Sequence, residues 1–439
     1  MPDPAFDLAL RIVDRLRQGG FEAYFAGGCV RDRLRGVPPK DYDIATNARP
    51  DAVQRLFPRH VAVGKAFGVI VVVGDGARVE VTTFRAETSY TDGRHPDAVT
   101  FSDLETDVRR RDFTINGMMW DPESDRVIDL VGGRADLAAK VVRTIGDPAA
   151  RFGEDRLRML RAVRFACELG FEIDPATAAA VRALAPSIAS VSAERIREEL
   201  KRILVSPGRE AGLGRLRDLG LLAVILPEVA ALAGVPQPPE YHPEGDVFTH
   251  TALCLRHLER ATWPLALATL LHDIGKPPTL SISDRIRFNE HDAVGGTMAA
   301  AVCDRLRLSN EEKERVVWIV ERHMIFKDVQ HMRTSTLRRL LGHPFFPDLL
   351  AMHRADRLAS GADLANHDFC VAQLQALPAE ALRPRPLLTG HDLMGLGVPA
   401  GPRIGALLRE LEEAQLEGTV TTREEALALA RARLGAPGS

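Results

Sequence analysis

The sequence predicts an α+β fold, a small mixed α/β head followed by an all-α remainder. Three observations predict it. Up to "TIGDP" (Thr144 to Pro148), short strand-like runs alternate with helical ones. From Arg151 onward helical periodicity dominates. With 439 residues, the chain also exceeds what a single core serves, so roughly two to four domains are expected.

The elements follow in order. Phe6, Leu10, Val13 and Leu16 share a helical face that Gly19-Gly20 ends. "FEAYFAG" alternates as a strand, "VRDRLRG" fits a short helix, and "KDYDIAT" is a second strand. "DAVQRLF" reads as a helix, and "GVIVVVG" and "RVEVTTF" as two further strands. These make up residues 1–146, the head, and a helical neck and body fills 147–232. "AGVPQPPEYHPEGD" (Ala233 to Asp246) is rich in Pro and Gly and is expected to be a linker. A helical block over 247–377 and a helical tail over 378–439 complete the chain.

Composition excludes several classes. The formal net charge is -3, which sets up no global field for nucleic acid, although arginines cluster locally in "VRRRD" and "EDRLRMLRAVRF". Five scattered cysteines without a CxxC pair indicate neither a disulfide framework nor a zinc ribbon. "MPDPAFDLAL" lacks a signal-peptide pattern, and no apolar run has the length of a membrane span. A cytoplasmic, reduced protein is expected.

The chemistry begins at "GGCVRDRLRGVPPKDYDIAT". Asp41 and Asp43 are two apart in an extended segment and project from one face. Their repulsion is relieved by a divalent cation, for which magnesium with substrate phosphates is the natural hard-oxygen partner. Glu80 on a later strand can supply a third carboxylate. Gly27 and Gly28 let backbone amides approach a phosphate, and Arg31 can add a charged contact. Asp32 reads as the residue that orients Arg31. A bare DxD equally fits a polar strand end.

"GGCVRDRLRG....DYDIAT", "EVTTFR", "RRRDFTING" and "EDRLRMLRAVRFA" together resemble the successive signatures of the bacterial-type (class II) tRNA nucleotidyltransferase and poly(A) polymerase family. The resemblance covers roughly residues 20–205. It implies addition of CCA to the 3′ end of tRNA from CTP and ATP, with Asp41 and Asp43 binding magnesium. A poly(A) polymerase, or an A-adding or CC-adding enzyme, is the alternative. The resemblance also assigns Arg110, Arg111, Asp112 and Asn116 to the nucleotide sugar and triphosphate. Gly117 departs from the alanine that usually follows this asparagine.

In "EDRLR", Glu154, Asp155 and Arg158 are placed at a helix start, with Asp155 and Arg158 neighbours on one face. They read as an intrahelical salt bridge or as a protein template. Cytosine and adenine both pair an exocyclic amine with a ring acceptor, which a carboxylate and a guanidinium match; guanine and uracil reverse that polarity. The resemblance implies the template. Arg161 and Arg164, further along, can neutralise triphosphate or RNA, and Arg195, after the expected N-cap Ser192, can support the template. The loop "RAETSYTDGRHPDAVTF" matches the family's flexible segment that switches specificity from C to A.

A second constellation strings His250, His272, Asp273, His291, His323 and Asp356 through the helical block. The H…HD…D series resembles an HD-superfamily phosphohydrolase domain. That resemblance implies a divalent transition metal or magnesium on His250, His272, Asp273 and Asp356, with His291 and His323 for a second ion or phosphate. Lys276 can meet an anion or cap a helix C-terminus. The tail resembles the C-terminal, tRNA-contacting region of CCA-adding enzymes. The reading from another class is an HD phosphohydrolase whose head only binds RNA.

Overall fold

The computed structural model describes residues 3–62, 68–88 and 98–435. The chain forms two compact units, Met1–Ala230 and Ala231–Ser439.

The first unit is built on strands β1 (Ala23–Ala26), β2 (Asp43–Thr46), β3 (His60–Val61), β4 (Val69–Gly74), β5 (Ala77–Thr83), β6 (Arg85–Thr88), β7 (Ala98–Phe101), β8 (Met119–Asp121) and β9 (Arg126–Ile128). Seven of them form one sheet in the order β3-β4-β5-β2-β1-β8-β9, and β6 and β7 pair separately. β2 runs parallel to β5 and antiparallel to β1, so Asp43 faces Ala26 on one side and Glu80 on the other. The parallel pair matters because it brings two distant carboxylates level at adjacent strands.

Helix Pro4–Gln18 packs on the sheet, its start capped by Asp3, whose carboxylate accepts from the Ala5 and Phe6 amides. The face it buries is Leu8, Ala9, Ile12, Val13 and Leu16. This is turned slightly from the expected one: Val13 and Leu16 are buried, while Phe6 and Leu10 are half-buried at the margin of the same core, Phe6 leaning on the ring of Phe25 in the interior strand β1. Phe25, Ile44, Ile70, Val79 and Val81 supply the core beneath it.

β10 (Val141–Val142) pairs in parallel with β11 (Glu172–Ile173), stitching the end of the head to the helices that follow. Those helices are Pro148–Glu154, Arg158–Leu169, Pro175–Leu184, Ala193–Val205 and Arg209–Asp218. Ser192 stands at the N-cap of Ala193–Val205 as expected, but its side chain makes no capping bond.

The second unit is helical except for a small ribbon, β12 (Leu280–Ile282) with β13 (Ile286–Phe288), which the all-α expectation did not include. Its main helices are Val247–His257, Trp263–Leu271, His291–Arg305, Asn310–Arg322 and Phe346–Ala359. The tail helices Pro402–Glu417 and Arg423–Gly435 close on their own core of Leu388, Leu393, Leu407 and Leu411. Among the described residues, no helix is long and apolar enough to cross a membrane.

Candidate active sites

In the head, Asp43 opens β2, and its neighbour in register is Glu80 of β5. Burial, reinforced by the charges of Glu80 and Asp41, raises the Asp43 carboxyl to about 6 against the pull of Arg111. Burial and Asp41 also raise Glu80, against Arg85. Two carboxyls whose ionisation is hindered, with Asp41 beside them, are a site wanting positive charge, and a hard dication meets that need. The donor set is carboxylate oxygen alone, which fits magnesium.

Gly27 adopts φ 73°, ψ -129°, a conformation closed to residues with a side chain. A Cβ there would lie 3.4 Å from Arg111 Nη1, and one on Gly28 would lie 3.7 Å from Arg31 Nη2. The glycine corner therefore leaves the approach to two guanidiniums clear. Asp32 grips Arg31 with both oxygens, at 2.9 Å each, and Arg31 Nη1 donates to Asn116 Oδ1 at 2.8 Å. Asn116 Nδ2 donates to Asp112 at 3.2 Å, and Arg161 Nε donates to the other oxygen of Asp112 at 2.8 Å. One hydrogen-bonded chain thus links five of these side chains, running Asp32–Arg31–Asn116–Asp112–Arg161. Although burial opposes it, Arg161 holds the Asp112 carboxyl down to about 2.

Arg110 and Arg111 are set by a residue the sequence reading missed. Asp107 is fully buried and accepts from Arg110 at 2.7 Å and from Arg111 at 3.0 Å. Its position three and four residues before the two arginines was the available signal, since helix Leu104–Arg109 carries it beneath both. Gly117, where the family has alanine, is closely packed: a Cβ would lie 2.8 Å from Val131 Cγ2 and 2.9 Å from Ile145 Cδ1.

The template motif is arranged differently from expectation. "EDRLR" straddles a break between helices: Glu154 ends one, Asp155 is extended at φ -138°, ψ 105°, and Arg158 begins the next. Asp155 and Arg158 do not pair with each other. Asp155 accepts from Arg195 Nη2 at 2.8 Å and from the Leu157 amide at 3.0 Å. Arg158 pairs with Glu154 at 2.7 Å and donates to the carbonyls of Arg151 and Arg110. An intrahelical bridge would have consumed both groups; the break aims them separately. Arg164 is corrected: it is 1% exposed, lies 2.6 Å from Glu199 and sits over the Phe165 ring. Burial lowers it to about 10. It clamps two helices and does not face a ligand. The specificity loop falls largely outside the described residues; only its flanks, β6 and β7, are seen.

In the second unit the six expected side chains do converge. Helix Trp263–Leu271 ends before His272, so His272 and Asp273 occupy the turn after it rather than the helix itself. That turn lies backbone to backbone on helix His291–Arg305, and a Cβ on Gly275 would collide with the His291 carbonyl and come 2.7 Å from the Gly295 nitrogen. His272, His291 and His323 each direct Nδ1 to a backbone carbonyl, of Thr269, Phe288 and Val320, at 2.8, 2.8 and 2.7 Å. Each carbonyl fixes the proton on Nδ1 and turns the Nε2 lone pair toward Asp273. Asp273 lies 3.2 Å from His272, 3.6 Å from His291 and 3.8 Å from His323.

The His291 and His323 Nε2 atoms stand 3.1 Å apart, and His272 Nε2 lies buried 3.2 Å from Asp273 Oδ2. Imidazole lone pairs facing one another and a buried carboxylate fit cations between them. His250 Nε2 is 2.9 Å from Asp356. Lys276 lies 2.7 Å from Asp273 and donates to Gln237, so its anion partner is within the protein.

The stretch read as a linker turns out to be a wall of this site. Glu244 receives His250 Nδ1 at 2.6 Å and His242 Nδ1 at 2.9 Å, and Gln237 holds Lys276. Pro238, Tyr241 and His242 line a cavity of about 950 Å³ that also opens onto His272, Asp273, His291 and Asp356.

Comparison with known proteins matches three parts of the chain to known families. Residues 23–143 match the family described as Poly A polymerase head domain, 170–232 the probable RNA and SrmB-binding site of polymerase A, and 247–361 the HD domain. A CCA-adding enzyme of Levilactobacillus brevis is 34% identical over 431 residues, 97% of each chain. One from Geobacillus thermodenitrificans is 45% identical over 228 residues, 52% of this chain and 56% of its own. The crystal structure of the Bacillus stearothermophilus CCA-adding enzyme in complex with CTP superposes with a TM-score of 0.75 at 30% identity, covering 99% of this chain and 98% of that one. Along nearly its whole length, this chain belongs to the family of CCA-adding enzymes, the tRNA nucleotidyltransferases.

Proposed function

We propose that the protein adds CCA to the 3′ end of tRNA, transferring CMP twice and AMP once from CTP and ATP and releasing pyrophosphate. The observation that carries this reading is the level placement of Asp43 and Glu80 on parallel strands, with Asp41, Arg111 and the Gly27–Gly28 corner alongside.

Asp41 and Asp43 would hold magnesium, with Glu80 beside them. An ion held by these carboxylates would supply Lewis-acid chemistry to the attacking 3′-hydroxyl and positive charge to the phosphates. Arg31 and Arg111, fixed by Asp32 and Asp107, present guanidiniums to the triphosphate beside the glycine corner. Asp112 and Asn116 are held by Arg161 and Arg31 for contact with the sugar. Asp155 and Arg158 read the base. Each carboxylate oxygen of Asp155 keeps a second lone pair for an exocyclic amine, and Arg158 keeps its Nε–H for a ring acceptor. Cytosine and adenine satisfy both groups, whereas guanine and uracil leave them unpaired.

The second unit supports a further reading, a metal-dependent phosphohydrolase acting on phosphate ends, because its facing imidazole nitrogens and buried carboxylates fit a dication. The head at 1–146, helical body at 147–232, HD domain at 247–377 and tRNA-contacting tail at 378–439 are the proposed divisions of labour. A cytoplasmic location belongs to the same reading, supported by five free, buried cysteines.

The test supplies magnesium and tRNA lacking CCA, with CTP alone, ATP alone, then both. Two C additions completed by one A are expected. Long A tails would make it a poly(A) polymerase, and no incorporation would overturn the transferase reading.

A further inference from the structure

The second unit holds a potential ligand that the H…HD…D pattern does not contain. Cys254 follows His250 by four residues on helix Val247–His257, so both side chains leave from one face. A single helix offers two ligands to zinc by the same spacing. Cys254 Sγ lies 3.3 Å from His250 Nε2, and His250, Cys254, His272 and Asp356 each offer an atom within 4.8 Å of the others. Tetrahedral zinc, with bonds of about 2.1 Å to nitrogen and 2.3 Å to sulfur, sets such atoms roughly 3.4–3.6 Å apart. The separation of Cys254 Sγ and His250 Nε2 is near that figure.

A role as simple core filling accounts for less. Both nitrogens of His250 already face carboxylates, Glu244 at 2.6 Å and Asp356 at 2.9 Å, so the imidazole does not need the thiol as a partner. His272, in the same group of four, gives its Nδ1 to the Thr269 carbonyl and so turns an Nε2 lone pair on the Asp273 carboxylate 3.2 Å away, an arrangement that a cation relieves. Cys29, Cys167, Cys303 and Cys370 are equally buried, yet among the described residues none joins a group of this kind.

We propose that Cys254 is a metal ligand. With His250, His272 and Asp356 it forms a mixed thiolate, imidazole and carboxylate site that selects a transition-metal dication such as zinc or cobalt over magnesium. Coordination releases the thiol proton. Asp273 is left to reach from this group toward His291 and His323, with which it makes a second cluster. The inference rests on the metal-dependent phosphohydrolase reading and adds the class of metal it takes.

The full chain, carrying Asp41→Asn and Asp43→Asn to remove the head site, is stripped with chelator and titrated with cobalt(II). The expected spectrum has visible d–d bands together with a thiolate-to-cobalt charge-transfer band in the near ultraviolet. Cys254→Ser should keep the former, lose the latter, and weaken zinc binding at least ~10-fold with magnesium binding unchanged. Visible bands without the charge-transfer band would overturn the role of Cys254 and leave the metal site standing. No cobalt binding would overturn both. Unchanged zinc affinity in Cys254→Ser would also overturn it. Should that variant fail to fold by circular dichroism, the parent spectrum decides, since no other cysteine lies in a cluster.

Discussion

Asp107 and Asp112 show how much of the head site is held together by buried acids, the first aligning two arginines and the second locked to Arg161 where it is proposed to meet the sugar. Asp107 carries two arginines at zero exposure, so Asp107→Asn removes the charge that aligns them. Expected is a rise in KM for CTP and ATP of about 10–100-fold with a smaller change in kcat, measured by steady-state incorporation. Asp112 gives a pH signature. Its folded value, about 2, lies below the ordinary 3.8, so its contribution is present above the ordinary value and lost as pH falls through about 2. The shift corresponds to about 2 kcal/mol. In urea unfolding, Asp112→Asn should cost about that much at pH near neutrality, with the gap closing at the acid end. At the template, Asp155→Ala should admit GTP and UTP into competition and cut the preference for CTP by about a hundredfold. Arg195→Ala should produce a weaker form of the same loss, because Arg195 fixes only the orientation of Asp155.

At the scale of elements, two close approaches decide whether the sites exist. The turn carrying His272 and Asp273 rests on helix His291–Arg305 through Gly275, against which no Cβ fits. Gly275→Ala should therefore push the turn off the helix, costing about 1–3 kcal/mol and separating Asp273 from His291. Thermal unfolding and metal titration would register both. The break at Asp155 is the other case. "EDRLR" has good helix formers, and its spacing reads as continuous helix. The Asp155 side chain accepts from the Leu157 amide and its carbonyl from the Arg158 amide, closing a turn in place of a continuous helix. Local spacing alone could not reveal that competition. Likewise the first helix turned its buried face toward Leu8 and Ile12, because periodicity defines a stripe while the sheet selects which edge of it is covered.

For the whole molecule, the proposed transfer and hydrolysis fall in different units, so a variant in one is expected to spare the other. His272→Ala is expected to abolish phosphohydrolysis of phosphate ends while CCA addition continues, measured on the same preparation. Much of this was legible in residue order alone. Asp41, Asp43 and Glu80 are named by residue type and spacing, because metal and phosphate chemistry admit few side chains, while the arginine-rich motif and the six side chains of the second unit are named by the family resemblances they carry. The α+β division was legible too, from the change of apolar period near Arg151. Tertiary structure decided the rest: that Asp43 and Glu80 lie level, that Arg164 is buried with Glu199, and that the supposed linker delivers Glu244 and Gln237 to the histidine and aspartate cluster. It also set Cys254 beside His250, His272 and Asp356. These depend on which distant segments meet, and proximity across tens of residues is a property of packing that no local pattern encodes.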